Sequence, residues 1–185
     1  MRACLAVLTS LLALAGAPLA AAPAIEACTA CHGAGTSQNP GVPSLGGMPA
    51  TFVTNQLFMF REGQRRAEPM NGLAEPMSDD DLTAYATEIA KLPAPVYQGP
   101  AGDPARMARA RELIGKHRCT SCHGPNLGGQ DQIPRLRAQR EEYLAAALKG
   151  YRSSDRAGFD PAMNEAAQDL NDTDIADLAY AIARQ

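Results

Sequence analysis

The sequence predicts an all-α protein built from two copies of one unit. Three observations carry this: no stretch alternates apolar and polar residues as a half-buried strand does, apolar residues recur at helical spacing, and the same residues return at a fixed offset along the 185-residue chain. Cys28, Cys31 and His32 come back as Cys119, Cys122 and His123, 91 residues on. Pro43 and Leu45 return at the same offset as Pro134 and Leu136, and Phe52, Leu57, Phe60 and Arg61 as Tyr143, Leu148, Tyr151 and Arg152. The offset then becomes 93, pairing Met70 with Met163, Asp81 with Asp174, Leu82 with Ile175 and Ile89 with Ile182. A two-residue insertion in one surface loop accounts for the change.

Each unit divides into helices with readable ends. Ser78-Asp79-Asp80-Asp81 is a capping pattern, repeated as Asn171-Asp172-Thr173-Asp174. Behind the caps run the stripes Leu82, Tyr85, Ile89 and Ile175, Leu178, Ile182. Phe52 to Phe60 and Tyr143 to Tyr151 predict a shorter middle helix. Pro104 to His117 predicts a leading helix with proline in its first turn, and His117 is expected on the surface at its end. Four prolines and two glycines in residues 93–104 mark a stiff linker, so the units are expected at 25–92 and 105–185.

Residues 1–24 read as an export signal: Met1-Arg2, an uncharged Leu/Ala run from Ala3 to Ala15, then Gly16, Pro18 and small residues suited to cleavage between Ala20 and Ala24. Thirteen helical residues span about 20 Å, short of the ~30 Å of bilayer hydrocarbon, so an anchor is disfavoured. The expected location is the periplasm, with membrane contact only through partner complexes. A net charge of −3 and a pI near 5.6 exclude the basic footprint of a nucleic-acid binder.

The two Cys-x-x-Cys-His runs carry the chemistry. In this pattern two thiols add to the vinyl groups of a haem and the adjacent histidine lies under the porphyrin to ligate iron. A thioredoxin-type dithiol needs a βαβ context, a zinc ribbon needs its cysteine pairs much closer together, and a disulfide framework does not call for His after both pairs. The expectation is two covalent haems c, held by Cys28, Cys31 and His32 and by Cys119, Cys122 and His123. Two haems also explain how small units with only 5% aromatic residues fill their cores. For the sixth ligand, methionine is the usual partner of histidine. The second unit offers Met107, in the leading helix, and Met163, in an irregular stretch before the capped helix. The first offers Met48, Met59, Met70 and Met77. Register selects Met70 and Met163, each eleven residues before the matching aspartate, Asp81 or Asp174; Met77 stands as the alternative in the first unit.

The whole pattern resembles the cytochrome c4 family of di-haem class I cytochromes c. The matching elements are Cys28–Gly33, Pro43-Ser44-Leu45, Phe52–Phe60, Gly63-Gln64-Arg65, Met70 and Met77–Leu82, then Cys119–Gly124, Pro134-Arg135-Leu136, Tyr143–Tyr151, Met163 and Leu170–Ile175. The resemblance implies two tandem class I cytochrome c domains, and that the carbonyls of Pro43 and Pro134 accept from Nδ1 of His32 and His123, orienting each ring. It also implies a leading helix before Cys28, for which the chain has no room after signal cleavage. The stripe Leu82, Tyr85, Ile89 would then be partly uncovered, so the second unit, the linker near Val96-Tyr97 or a partner is expected to cover that face.

A His/Met iron has no open position and suits electron transfer rather than catalysis. The resemblance implies a periplasmic carrier with a cytochrome bc complex or a dehydrogenase as donor and a terminal oxidase as acceptor. A tightly bound subunit of a periplasmic dehydrogenase is the alternative, and a di-haem peroxidase, which needs one open iron, a more distant one. Residues 25–97 carry four basic and eight acidic side chains, residues 98–185 twelve of each, an asymmetry able to orient the molecule between partners.

Overall fold

The computed structural model describes residues 24–185 apart from 157, 159 and 160, so the signal read at 1–24 lies, save for Ala24, outside the described residues. The first unit contains α1 (Glu26–His32), α2 (Ala50–Arg61), α3 (Met70–Ala74) and α4 (Asp79–Ile89). The second contains α5 (Pro104–Lys116), α6 (Cys119–His123), α7 (Glu141–Ser153), α8 (Ala162–Ala167) and α9 (Asp172–Ala183). Among the described residues there is no strand, only an isolated bridge between Gln130 and Ile133. No described helix is long and apolar enough to cross a membrane.

Capping chemistry sets the starts. The Ser78 hydroxyl accepts from the Asp81 N–H while the Asp81 carboxylate accepts from the Ser78 N–H, a full capping box opening α4; Asn171 and Asp174 do the same for α9. Asp103 caps α5 by accepting from the Arg106 N–H, and Pro104 fills the first turn, where no N–H is needed. The middle helices begin two residues earlier than the aromatic pattern indicates, at Ala50 and Glu141, because small and acidic residues suit a first turn.

Each unit has its own core. In the first, Val53 and Leu57 of α2 pack on Leu82, Ala86 and Ile89 of α4, with Met48 alongside. In the second, Leu144 of α7 packs on Ile175, Leu178 and Ile182 of α9, with Leu127 and Leu170 closing the ends. Spacing of three or four residues puts each set on one face, and burying each such large apolar side chain contributes roughly 1.5–3 kcal/mol.

α5 packs along α9 and has no counterpart among the described residues of the first unit. It is pinned by Asp177, whose two carboxylate oxygens accept from Arg106 Nε and Arg109 Nε, each at 2.7 Å. Arg106 also lies 3.8 Å over the Tyr180 ring.

The expectation that the second unit, the linker or a partner must cover the stripe on α4 is corrected. Leu82 and Ile89 are each only 2% exposed, because the stripe faces α2 inside its own unit; Tyr85 is half-buried. In the second unit Leu113 and Ile114 of α5 pack on the core, and its arginines bond a further face of α9, the one carrying Ala176, Asp177 and Tyr180. Its counterparts in α4 are Thr83, Ala84 and Thr87, and the two threonine hydroxyls donate to the Asp79 and Thr83 carbonyls. That face of α4 carries no large apolar side chain. The linker does not serve as a cover: Val96 is 70% exposed, and the Tyr97 ring lies near Arg184 of the second unit. His117 also departs from its surface reading, being half-buried with an enclosed Nε2.

The units meet along the Pro43–Met48 loop. A side chain on Gly46 would sit 1.9 Å from the Pro93 carbonyl oxygen, so only glycine lets the linker pass this close. Gln139 bonds both backbone groups of Ser44, and the Tyr143 hydroxyl accepts from Arg156 at 3.1 Å and from Arg65 at 3.5 Å.

The candidate haem sites

α1 and α6 hold their cysteines three residues apart, on one side of a helical turn, with the histidine as last residue. Gly33 and Gly124 follow at φ 71° and 81°, turning the chain sharply away. At Gly33 a side chain would lie 2.3 Å from the Thr36 carbonyl oxygen, so the turn admits no other residue without moving backbone.

The loop leaving each motif returns to hold its histidine. His32 Nδ1 lies 2.7 Å from the Pro43 carbonyl oxygen, and His123 Nδ1 lies 2.8 Å from that of Pro134. A carbonyl only accepts, so Nδ1 carries the proton and Nε2 keeps the lone pair that a metal takes. Burial lowers the pKa of both imidazoles, against the raising effect of these hydrogen bonds, and so favours the neutral ligating form. All four thiols are free; burial pushes those of Cys28 and Cys119 up. Two thiols, one neutral imidazole and a surrounding apolar core are the donor set that haem c requires, twice over.

Met70 opens α3 and Met163 lies in α8, both half-buried. Met77 packs on the same first-unit core as Met70, and its carbonyl accepts from Arg61. Its counterpart Leu170 is buried in the second core. Met48 and Met59 are core residues, 6% and 1% exposed.

Several residues that serve these sites escape motif reading. Asn71 and Asn164, directly after the two methionines, each bridge two backbone carbonyls of the preceding helix and loop. Arg61 and Arg152 tie the middle helices to the residues before the capping boxes. Arg65 and Arg156 stack on Phe60 and Tyr151 and converge on Tyr143. Burial opposes ionisation of the Tyr143 phenol, but the two guanidinium groups prevail and hold its pKa at about 8. Arg61 and Arg152 were visible as repeat matches; Asn71 and Asn164 share the 93-residue offset and could have been found from it.

Comparison with known proteins agrees with this geometry. The cytochrome c family pattern matches residues 107–182. The chain is 38% identical over 178 residues to a thiosulfate dehydrogenase electron acceptor from Thiomonas intermedia, covering 90% of this chain and 82% of that protein. It is 32% identical over 169 residues to a protein of the same name from Stutzerimonas stutzeri, covering 85% and 78%. The structure of reduced cytochrome c4 from Pseudomonas stutzeri superposes with a TM-score of 0.77 at 30% identity, over 86% of this chain and 93% of that one. Two haem-attachment motifs on a duplicated helical fold thus meet likeness along nearly the whole chain, and the protein belongs to the di-haem cytochrome c4 family, carries two covalent haems c and transfers electrons.

Proposed function

We propose that this protein is an exported electron acceptor for a thiosulfate-oxidising dehydrogenase, passing electrons on to a terminal oxidase. The observation that carries the reading is 38% identity along 82% of a thiosulfate dehydrogenase electron acceptor. Each haem c, when bound, supplies an iron that takes up and gives back one electron.

The protein's part is to hold, tune and close these centres. Cys28 and Cys31, and Cys119 and Cys122, fix the two groups covalently. His32 and His123 present Nε2, while the Pro43 and Pro134 carbonyls hold the rings and raise their basicity. Met70 and Met163 supply the sixth ligands; a thioether favours the reduced metal and raises the potential. Residues of the chain would then hold each iron on both sides and leave no site for a substrate. Arg135 directly follows the Pro134 that holds His123, and its buried Nε has no partner among the described residues, so it is a donor available to a propionate carboxylate.

The second reading, a free carrier between a cytochrome bc complex and an oxidase, is favoured by the likeness to cytochrome c4. Stopped-flow mixing of the oxidised protein with a purified thiosulfate dehydrogenase and thiosulfate separates the two. The acceptor reading expects haem reduction within the enzyme's own turnover time. Reduction only when a bc complex and quinol are supplied favours the free carrier.

A further inference from the structure

Both haem-holding loops place a proline carbonyl on the motif histidine, but they differ in what holds the peptide that follows. In the first unit, the peptide joining Pro43 to Ser44 is bonded at both ends. Its carbonyl oxygen accepts from His32 Nδ1 at 2.7 Å, and its N–H donates to Gln139 Oε1, 2.7 Å away and 95 residues along the chain. Gln139 Nε2 also donates to the Ser44 carbonyl at 2.9 Å, and its Oε1 accepts a second bond from the Arg140 N–H. Gln139 is 3% exposed and Ser44 fully buried, so water does not compete for these bonds. Ser44 is held from the other side as well. Its Oγ accepts from the Ser37 N–H, and the Ser37 hydroxyl donates to the carbonyl of Cys31, one of the attachment cysteines.

The second unit lacks this arrangement. Ser44 corresponds to Arg135, and the residue matching Gln139 in the first unit is Met48, whose thioether is a weak acceptor.

We propose that Gln139 is a positioning residue of the second unit that sets the electronic character of the first unit's axial histidine, acting through the Pro43–Ser44 peptide. The proposal rests on His32 being an iron ligand. An acceptor on a peptide N–H shifts electron density toward that peptide's oxygen and strengthens it as an acceptor; such polarisation amounts to roughly 10–30% per bond. A stronger acceptor draws the Nδ1 proton and makes Nε2 more basic, which favours the oxidised metal. Docking of the second unit thereby lowers the potential of the first haem and leaves that of the second unchanged. Two centres with the same ligand types become inequivalent, as a relay with a defined direction needs.

The test is redox titration of the di-haem holoprotein, with each haem assigned by NMR contacts to its own axial histidine. Gln139→Leu removes the acceptor; Gln139→Glu keeps an acceptor for the Ser44 N–H. In Gln139→Leu the first potential should rise, the His32 ring resonances should move and the second potential should stay. In Gln139→Glu the first potential should remain at or below that of the parent protein. Equal movement of both potentials in Gln139→Leu, or movement of neither, overturns the proposal. If Gln139→Leu does not assemble, a first-haem potential in Gln139→Glu above the parent's overturns it and one at or below supports it. A parent protein in which the Cys28–His32 motif carries no haem refutes instead the ligand reading beneath it.

Discussion

Asn71 and Asn164 make the same pair of hydrogen bonds 93 residues apart. Nδ2 of Asn71 donates to the Phe60 and Arg65 carbonyls, both at 2.8 Å; Nδ2 of Asn164 donates to those of Tyr151 and Arg156, both at 2.9 Å. Each amide thus staples the segment carrying Met70 or Met163 to the end of the middle helix. Replacing Asn164 with Ala removes these two part-buried bonds and a third, which its Oδ1 accepts from the Gly158 N–H, and should lower stability by about 1–3 kcal/mol. The loss is read as a shifted denaturant midpoint, and the sulfur-to-iron absorbance of the second haem should vanish at lower denaturant than the haem Soret band changes. Coincident transitions would mean that Asn164 does not guard the methionine segment.

The methionines themselves are tested through the near-infrared sulfur-to-iron band of the oxidised protein. Met70→Ala and Met163→Ala should each remove about half of it and lower one potential. Met77→Ala should leave the band whole, since Met77 occupies a place that the second unit fills with Leu170. A whole band in Met70→Ala moves the ligand to Met77 or to another methionine.

Haem content follows from the two motifs. The mature protein should keep its haem stain after denaturing electrophoresis and exceed the polypeptide mass by two haems, and the double substitution of Cys28 and Cys31 by Ala should remove one of them. A parent mass gain of one haem contradicts the equivalence of the units.

Asp177 supplies a pH dependence. Its hydrogen bonds to Arg109 and Arg106 outweigh the opposing effect of burial and hold its carboxyl below the usual range. A carboxyl depressed in the folded state stabilises above its unfolded pKa of about 3.9, and that contribution is lost as pH falls through the lower folded value. Asp177→Asn should therefore cost about 1–3 kcal/mol at pH 7 and much less near pH 2. Urea midpoints of the two proteins at both pH values check this; an equal gap at both places the effect in packing rather than charge.

Much of this was legible in the chain. Cys-x-x-Cys-His announces its chemistry because covalent attachment demands fixed spacing, and the duplication appears because both copies keep the same capping boxes and stripes. The stripe on α4 was located correctly, but its neighbour was not. Periodicity says which residues share a face, whereas which helix lies on that face depends on tertiary packing, here α2 rather than a leading helix. Thr83 and Thr87, polar where α9 has Ala176 and Tyr180, were the available sign that the other face had adapted. Gln139 and Tyr143 were invisible as site residues. Their partners lie 95 and 78 residues away, and no local pattern encodes a contact between units.

The central claim is that both irons are closed by the chain and exchange one electron each. A reductive titration of the purified protein under carbon monoxide tests it directly. Uptake of two electrons per chain is expected, with a final spectrum identical to that of the reduced protein without carbon monoxide. Uptake of one electron, or formation of a carbon monoxide adduct at either haem of the native protein, would contradict it.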